Sequence, residues 1–440
     1  MVLVQPSIMV ERIHSVNLPA LIRKNLKNIN LQRLSQSQFI HNVAQTLATR
    51  GLLIIISLIT SMLITRALGP VGRGIYATAT AFSATGVQLG YLGLNAANTY
   101  YVAKDKSLLP ILLGNSLFVG VGIGGLEILL GISLFFSVPN LSPLQPSILL
   151  LALIAIPVLL TVELLQYLLL GIESIGTYNV IQIAMRLVNT IGIFVLIGIG
   201  NTSATSFFII FVLARLIGVL WSLRKLSNLI GNKLQFSFLQ LQEQFSYGIR
   251  AYFAALFSFL VIRSDLFMVK YILGAEQVGY YSLSTTMVDM VYLVPVVVGT
   301  MLFPRLSASN DAKNKRHLTF QISGLIALLM LAIIVVTYFI APLAITIVYG
   351  ADFLPAVPAF RILLLGIFFM SINTIFMNYF AATGMPAITV YSPGIAAIIN
   401  IIANIYLTPR YGIEGTAIAS VIAYAIMLII SIGYFIGDSE

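Results

Sequence analysis

Six arginines and four carboxylates lie within long apolar stretches of the chain, where an ionisable side chain is costly to bury. The guanidinium fork of arginine matches the oxygen atoms of a phosphate, so arginines that face a cavity suit an anionic ligand. A proton relay or a cation pore would instead favour carboxylates. The ten residues are Arg50, Arg186, Arg215, Arg250, Arg263, Arg361, Glu127, Glu163, Asp265 and Asp289.

Three of these arginines, Arg50, Arg250 and Arg263, are candidates for contact with an anionic headgroup. Arg250 opens the seventh apolar segment, and Arg263 follows thirteen residues later, which is about 20 Å further along a helix. The two side chains differ in direction by about 140°, so one can line a cavity while the other forms a structural ion pair. For each arginine, snorkelling to the membrane surface or a structural ion pair is the alternative.

The four carboxylates divide between two candidate roles. Asp265 and Asp289 lie in neighbouring segments, and each is either the partner of a nearby arginine or a site that couples a cation or a proton to function. Glu127 and Glu163 lie in the first half of the chain, and we expect them to pair with arginines of that half. Those arginines are Arg186 and Arg215.

Other chemistries find no support in the sequence. Without cysteine there is no disulfide, thiolate zinc site or catalytic thiol, and the three histidines are too scattered for a metal site. Residues 120–125 match a dinucleotide-binding fingerprint, but they lie in an apolar helix with no preceding strand, so close helix packing explains them. No phosphate-binding lysine loop, zinc-protease motif or nucleophile elbow occurs. We therefore expect no enzyme activity, no cofactor and no metal.

The elements that must position these residues are membrane-spanning helices. Hydrophobic residues form 59% of the chain, charged residues only 9%, and the mean hydropathy is +1.00. A spanning helix needs about 20 mostly apolar residues, and segments of the barrel type are absent. The sequence predicts an all-α polytopic membrane protein with about twelve transmembrane helices. They are 42–66, 73–102, 108–136, 147–171, 176–199, 204–226, 247–273, 277–303, 318–348, 356–383, 387–408 and 413–437.

Basic residues are distributed unevenly between the two predicted faces of the membrane. If the N-terminus is cytoplasmic, the tail carries five and the inner loops nine, whereas the outer loops carry four. The positive-inside rule then places both termini in the cytoplasm. The net charge of +10 therefore serves topology and attraction to anionic lipid rather than nucleic-acid binding. The four outer residues are Arg66, Arg73, Lys270 and Arg410.

One motif recurs 205 residues apart, each time directly after an apolar segment. Residues 68–76 and 273–281 both read Leu-Gly, four residues, then Gly-x-Tyr. Such a repeat indicates two related lobes, and six helices on each side of a polar stretch make the repeat parallel. We expect two six-helix bundles around a central cavity. The predicted divisions are a cytoplasmic basic N-terminal tail (1–39), the first lobe (40–226), a cytoplasmic linker (227–246) and the second lobe (247–440).

Several segments carry a family resemblance over about residues 40–437. They are Ile64 to Pro70 with Gly74 and Tyr76; Asp265 with Leu273-Gly274 and Gly279 to Ser282; Leu302 to Ser307; and Asn400 with Leu407 to Ala417. On their order and spacing, the chain resembles the polysaccharide-exporting, or Wzx-type, flippases of the multidrug/oligosaccharidyl-lipid/polysaccharide exporter superfamily.

The resemblance implies alternating-access transport of an undecaprenyl-diphosphate-linked oligosaccharide from the cytoplasmic to the outer leaflet of the bacterial plasma (inner) membrane, for O-antigen or exopolysaccharide export. The headgroup would enter a cationic, V-shaped cavity in which Arg50, Arg250 and Arg263 meet the diphosphate or acidic sugars. Lipid-linked oligosaccharide and membrane lipid are the implied partners, with a polysaccharide polymerase and a chain-length regulator as candidate protein partners.

Other functions on a similar scaffold stay open at this point. A cation-coupled multidrug or small-molecule antiporter would favour a more acidic or apolar cavity. A flippase for the peptidoglycan precursor would usually carry two extra helices. A membrane-embedded polymerase or glycosyltransferase would need a catalytic acid or a metal motif in a large loop, and a structural scaffold would leave the ionisable residues in the membrane unexplained.

Overall fold

The computed structural model describes residues 31–231, 233–309 and 311–437, with side chains at Thr49 and from Gly51 onward. The first 30 residues of the predicted tail therefore lie outside the described residues. Within the described ranges, every regular element is helical. The α-helices are α1 (Leu31–Gly90), α2 (Leu94–Lys104), α3 (Leu109–Phe118), α4 (Gly124–Ser137), α5 (Pro146–Gly171), α6 (Ile175–Gly198), α7 (Ala204–Ile230), α8 (Phe238–Leu273), α9 (Ala275–Ala308), α10 (Ala312–Val348), α11 (Val357–Ala382) and α12 (Ile388–Gly437).

Ten helical runs in the described part of the chain are long and apolar enough to cross a membrane. Two of these runs contain a break, one in α1 at Gly69 (φ 62°) and one in α12 at Gly412 (φ 60°). Glycine adopts a positive φ at little cost, so each break separates two predicted spans within one run. The all-α fold class is confirmed, and the number of spans agrees with the predicted twelve.

The glycine-rich string at residues 120–125 is a helix-packing element, as predicted. It contains a π-helical turn, Val119–Ile123, that joins α3 to α4. A Cβ atom built on Gly120 would lie 2.2 Å from the Thr161 hydroxyl oxygen, and one on Gly124 would lie 2.7 Å from the Cα of Pro157. Only glycine lets this segment approach α5 so closely.

The helices form two bundles, which we call the first half (α1–α7) and the second half (α8–α12). Buried apolar side chains of the second half form one large core, and those of the first half form three smaller cores. The predicted linker, 227–246, contains the first turns of α8. There the buried Gln244 accepts a hydrogen bond from Asn115 (2.8 Å) and donates one to Asn98 (2.7 Å), which fastens the start of α8 to the first half.

The two copies of the repeated motif pack against each other, in a contact that we call the seam. A Cβ atom on Gly74 would lie 1.8 Å from the carbonyl oxygen of Ala275, and one on Gly279 would lie 2.0 Å from that of Pro70. These two contacts are equivalent under the 205-residue repeat. We call this side of the membrane the motif face, and the opposite side, where α12 ends, the terminal face.

Substitution of Gly279 by alanine tests the seam. The added methyl group would collide with the backbone of α1, and overpacking of this kind typically costs about 1–3 kcal/mol. We expect Gly279→Ala to lower the midpoint of thermal unfolding of the purified protein. Gly324→Ala in α10 is the matched control, because a Cβ there meets nothing within 4 Å. Equal midpoints of thermal unfolding for the two variants would contradict the close backbone contact at the seam.

Candidate functional site

A cavity of about 790 Å³ lies between the two halves. Helices α1, α2 and α5 line it from the first half, and α8, α9, α11 and α12 from the second. The lining runs from Tyr281, close to the seam, to Tyr247 and Met385 near the terminal face. The charged residues in the described part of the wall are Arg250, Arg263, Asp265 and Asp289. With two of each sign, this wall is less cationic than predicted.

Two of the three candidate arginines line the cavity, and they differ in their partners. Arg263 donates a hydrogen bond to Asp289 at 3.4 Å, and both side chains are partly exposed to the lumen. An exposed ion pair of this kind contributes little stability. No ion pair among the described residues involves Arg250, which lies three residues beyond Tyr247 on α8. Arg250 therefore presents an uncompensated positive charge near the terminal end of the cavity.

The third candidate, Arg50, lies in α1, but its side chain is outside the described residues. Two aromatic rings stand near Arg250 instead. Tyr100 of the first half stacks on Tyr247 of the second with ring centroids 4.2 Å apart. Close by, a Cβ atom on Gly248 would lie 2.2 Å from the carbonyl oxygen of Gly93. The halves thus also touch on the terminal side of the cavity.

Asp265 is held by hydroxyl and amide groups rather than by an arginine. Its side chain is 2% exposed, and its carboxylate accepts hydrogen bonds from Tyr281 (2.9 Å), from Asn404 (3.0 Å) and from Ser420. These donors come from α9 and from both sides of the break in α12. Thr408 extends the network through Asn404 (2.9 Å). The result is a buried carboxylate cage that links three helices of the second half.

The remaining ionisable residues of the first half lie away from the cavity wall. Glu163 interacts electrostatically with Tyr91 and with Arg186. Glu127 lies against Gly90. Neither glutamate forms an ion pair at 4.0 Å or closer with an arginine of the described chain.

Two other arginines in the membrane make contacts with aromatic rings. The guanidinium of Arg215 lies 5.1 Å from the centroid of Phe211 and donates to the Met185 sulfur at 3.8 Å. The guanidinium of Arg361 lies 4.4 Å from the centroid of Tyr338 and donates to the carbonyl oxygen of that residue. Neither residue lines the cavity.

Arg73 was predicted to lie in an outer loop. It is instead buried in the seam. The side chain is buried and donates across the seam to the hydroxyl (3.1 Å) and the carbonyl (3.2 Å) of Ser282 and to the Thr286 hydroxyl (3.1 Å). Within the first half it also donates to Thr65. The sequence offered one signal for this burial, which is the position of Arg73 between two glycines of the motif. The repeat gave no second signal, because the equivalent position of the other copy is Val278.

Known proteins resemble the chain in sequence, one of them over most of its length. Residues 62–358 match the family described as polysaccharide biosynthesis protein. A putative O-antigen transporter of Shigella flexneri is 25% identical over 80% of this chain and 87% of its own length. A probable low-salt glycan biosynthesis flippase of Haloferax volcanii is 22% identical over 49% of this chain and 45% of its own length. An uncharacterized membrane protein of Methanocaldococcus jannaschii is 31% identical, over 46% and 41% respectively.

Solved structures of transporters share the fold. The inward closed form of the lipid II flippase MurJ has a TM-score of 0.71 with 18% identity, covering 88% of this chain and 86% of that one. An inward-facing multidrug resistance transporter of the MATE family has a TM-score of 0.67 with 14% identity, covering 88% and 94%.

Removal of Arg73 should open the seam. Arg73→Ala deletes three hydrogen bonds across it and leaves a void. A bond to a charged group contributes about 1.5–3 kcal/mol, so loss of one shifts the closed–open equilibrium about tenfold or more. Spin labels at Val71→Cys and Glu276→Cys, which are exposed equivalent positions of the two motifs in a chain without other cysteines, should report a larger long-distance population by pulsed electron resonance.

The control for this measurement is Arg66→Ala. Arg66 also bonds across the halves, to the carbonyl oxygens of Ile347 and Val348, but it is exposed, so its loss should shift the distances much less. If the distribution of spin-label distances in Arg73→Ala is unchanged or narrower, the prediction is wrong. The cost of burying the charge would then exceed the stabilisation that its hydrogen bonds give to the seam.

Proposed function

The chain belongs to the polysaccharide biosynthesis family, as one of the polysaccharide flippases of the multidrug/oligosaccharidyl-lipid/polysaccharide exporter superfamily; we propose that it moves an undecaprenyl-diphosphate-linked oligosaccharide repeat unit from the cytoplasmic to the outer leaflet of a bacterial plasma membrane. It is a multi-pass membrane protein of a transporter family rather than of a family of catalytic enzymes. The observation that carries the proposal is the cavity between the halves, closed by the seam and containing the unpaired Arg250.

The charged part of such a substrate sets the task of the cavity. A diphosphate cannot cross hydrocarbon unaided, because its desolvation is prohibitively costly. Arg250 supplies a positive charge without a competing carboxylate, and the weakly held Arg263 can exchange Asp289 for a phosphate oxygen. The prenyl chain stays in the bilayer while the headgroup occupies the cavity.

Two contacts between the halves support alternating access. The seam closes the motif face, and the Gly93–Gly248 contact narrows the terminal side. Most lysines and arginines near the helix ends of the described chain lie at the terminal face, among them Lys104, Lys225 and Lys315, so we propose that this face is cytoplasmic. Transport then requires the terminal side to open for loading and the seam to open for release.

A cation-coupled multidrug antiporter is the second candidate function. The similarity in fold to multidrug transporters and the carboxylates of the cavity wall favour it. A resistance assay with cationic dyes separates the two functions, because an exporter of anionic lipid-linked sugars gives cells no protection. The polysaccharide polymerase and the chain-length regulator stay predicted partners, for which co-purification from cross-linked membranes is the test.

The flippase proposal predicts a specific loss in the variant Arg250→Gln. In reconstituted vesicles, the protein should move fluorescently labelled lipid-linked oligosaccharide between leaflets, and the variant should do so about tenfold more slowly or worse, since it loses a charge-assisted contact. Arg410→Gln is the control, because Arg410 is an exposed arginine on the motif face that donates only to a nearby carbonyl. If the unmodified protein moves the labelled lipid-linked oligosaccharide no faster than protein-free vesicles do, the flippase proposal is wrong.

We further propose that Asp265 couples transport to a cation or a proton. The carboxylate is buried among oxygen atoms of Tyr281 and Ser420 and the amide of Asn404, a setting in which binding of a positive charge would reorganise three helices. An imposed sodium or proton gradient should accelerate flipping by the unmodified protein, and Asp265→Asn should abolish the response. Tyr281→Phe keeps the carboxylate and should keep part of the response. An equal response in Asp265→Asn would exclude this role.

A further inference from the structure

Three buried amide side chains in the cavity wall have hydrogen-bonding atoms without partners. Gln88 of α1 is 7% exposed, and Asn373 and Asn378 of α11 are 1% and 0% exposed. Within the described chain, no hydrogen bond reaches Gln88 Nε2, either amide atom of Asn373, or Asn378 Oδ1. Buried polar atoms in native proteins are nearly always hydrogen-bonded, so such a group at one cavity calls for a specific explanation.

Elsewhere in the described chain some buried amides are fully satisfied, whereas Gln166, Asn179, Asn189 and Asn400 each have one atom without a partner. Asn98 is also 0% exposed, yet its Nδ2 donates to the Ser116 hydroxyl (2.8 Å) and its Oδ1 accepts from Gln244 (2.7 Å). Asn98 is not part of the cavity wall. Of the seven amide side chains with an unpartnered buried atom in the described chain, three line this cavity, and Asn373 alone has both amide atoms unpartnered. These three are the ones that lie beside a space a ligand can occupy.

The chemistry of the unpartnered atoms indicates a neutral ligand. Two of them are donors and two are acceptors. A phosphate or a carboxylate only accepts, so it would leave the acceptors unmatched, and a metal cation would leave the donors unmatched. A sugar hydroxyl both donates and accepts, and an acetamido group carries one donor and one acceptor. Tyr292 and Met370 of the same wall offer apolar surface for the C–H face of a sugar ring.

We propose that Gln88, Asn373 and Asn378 form a subsite for an uncharged, hydroxyl-rich sugar of the transported headgroup. The subsite rests on the flippase function proposed above, and it divides the cavity between a charged region for the diphosphate and an amide region for the saccharide. Because the unpartnered atoms are buried in this structure, the subsite requires each side chain to rotate until its amide faces the lumen. Gln88 belongs to the first half, and the two asparagines belong to the second. One sugar that is hydrogen-bonded to both halves therefore stabilises the arrangement of the halves seen in this structure.

The variant Asn373→Leu separates a ligand contact from a structural one. It removes two unpartnered polar atoms and keeps the branching and the number of heavy atoms of the side chain, so the thermal midpoint should stay unchanged or rise. Transport of an undecaprenyl-diphosphate-linked trisaccharide of neutral sugars in vesicles should fall about tenfold or more, through a higher apparent KM. Asn98→Leu is the control. It strands the partners of Asn98, so it should lower the midpoint while the activity per folded molecule stays intact.

Two further probes keep the subsite distinguishable from the flippase function itself. Undecaprenyl diphosphate without sugar should move equally well in the unmodified protein and in Asn373→Leu. A trisaccharide with a uronic acid should move more slowly than the neutral one in the unmodified protein, and the variant should lose this preference. No transport by the unmodified protein would refute the flippase function, whereas equal transport of the neutral trisaccharide by both would refute the subsite alone.

A structural role for Asn373 has its own signature. If Asn373→Leu lowers the thermal midpoint and the transport rate in parallel, as a packing defect does, the amide holds the fold and the subsite is excluded. Should that variant fail to fold, Gln88→Leu on the opposite wall takes its place in the same assays, with the same expected loss of sugar preference.

Discussion

The structure depends on a backbone contact between two copies of one short motif. Gly74 meets the carbonyl of Ala275, and Gly279 meets that of Pro70, so the backbones of the two halves touch directly at these glycines. In a bilayer the hydrophobic effect does not drive helices together, and close packing with buried hydrogen bonds must do so instead. The seam meets this requirement with its glycines and with Arg73. The seam closes the motif face, and the Gly93–Gly248 contact narrows the terminal side.

The two halves share a fold but differ in where their polar groups lie. The second half contains the carboxylate cage around Asp265, whereas Arg73 of the first half corresponds to Val278 in the other copy of the repeat. The asymmetry has a physical use. A ligand or ion that binds a group present in only one half can favour one arrangement of the two halves over another.

The cavity combines features that a purely anionic or purely neutral ligand would not need together. Arg250 has no carboxylate partner in the described chain, while the paired Arg263 and Asp289 nearly cancel. The amides of Gln88, Asn373 and Asn378 add uncharged donors and acceptors. A headgroup with a charged diphosphate and neutral sugars can bind to the arginines and to the amides at the same time. A wall that is only partly cationic is therefore consistent with the transport proposal.

The sequence by itself determined the spans, the parallel repeat and the set of ionisable residues in the membrane, because a bilayer admits only long apolar helices and each charge within it needs a reason. It also identified Arg250 and Arg263 as candidates, and both line the cavity. It misplaced Arg73 and expected glutamate–arginine pairs that did not form. Helical periodicity gives the direction of a side chain but not its neighbour. Only the tertiary structure decided which helices meet, and therefore which arginine is buried in the seam and which amides are left without partners.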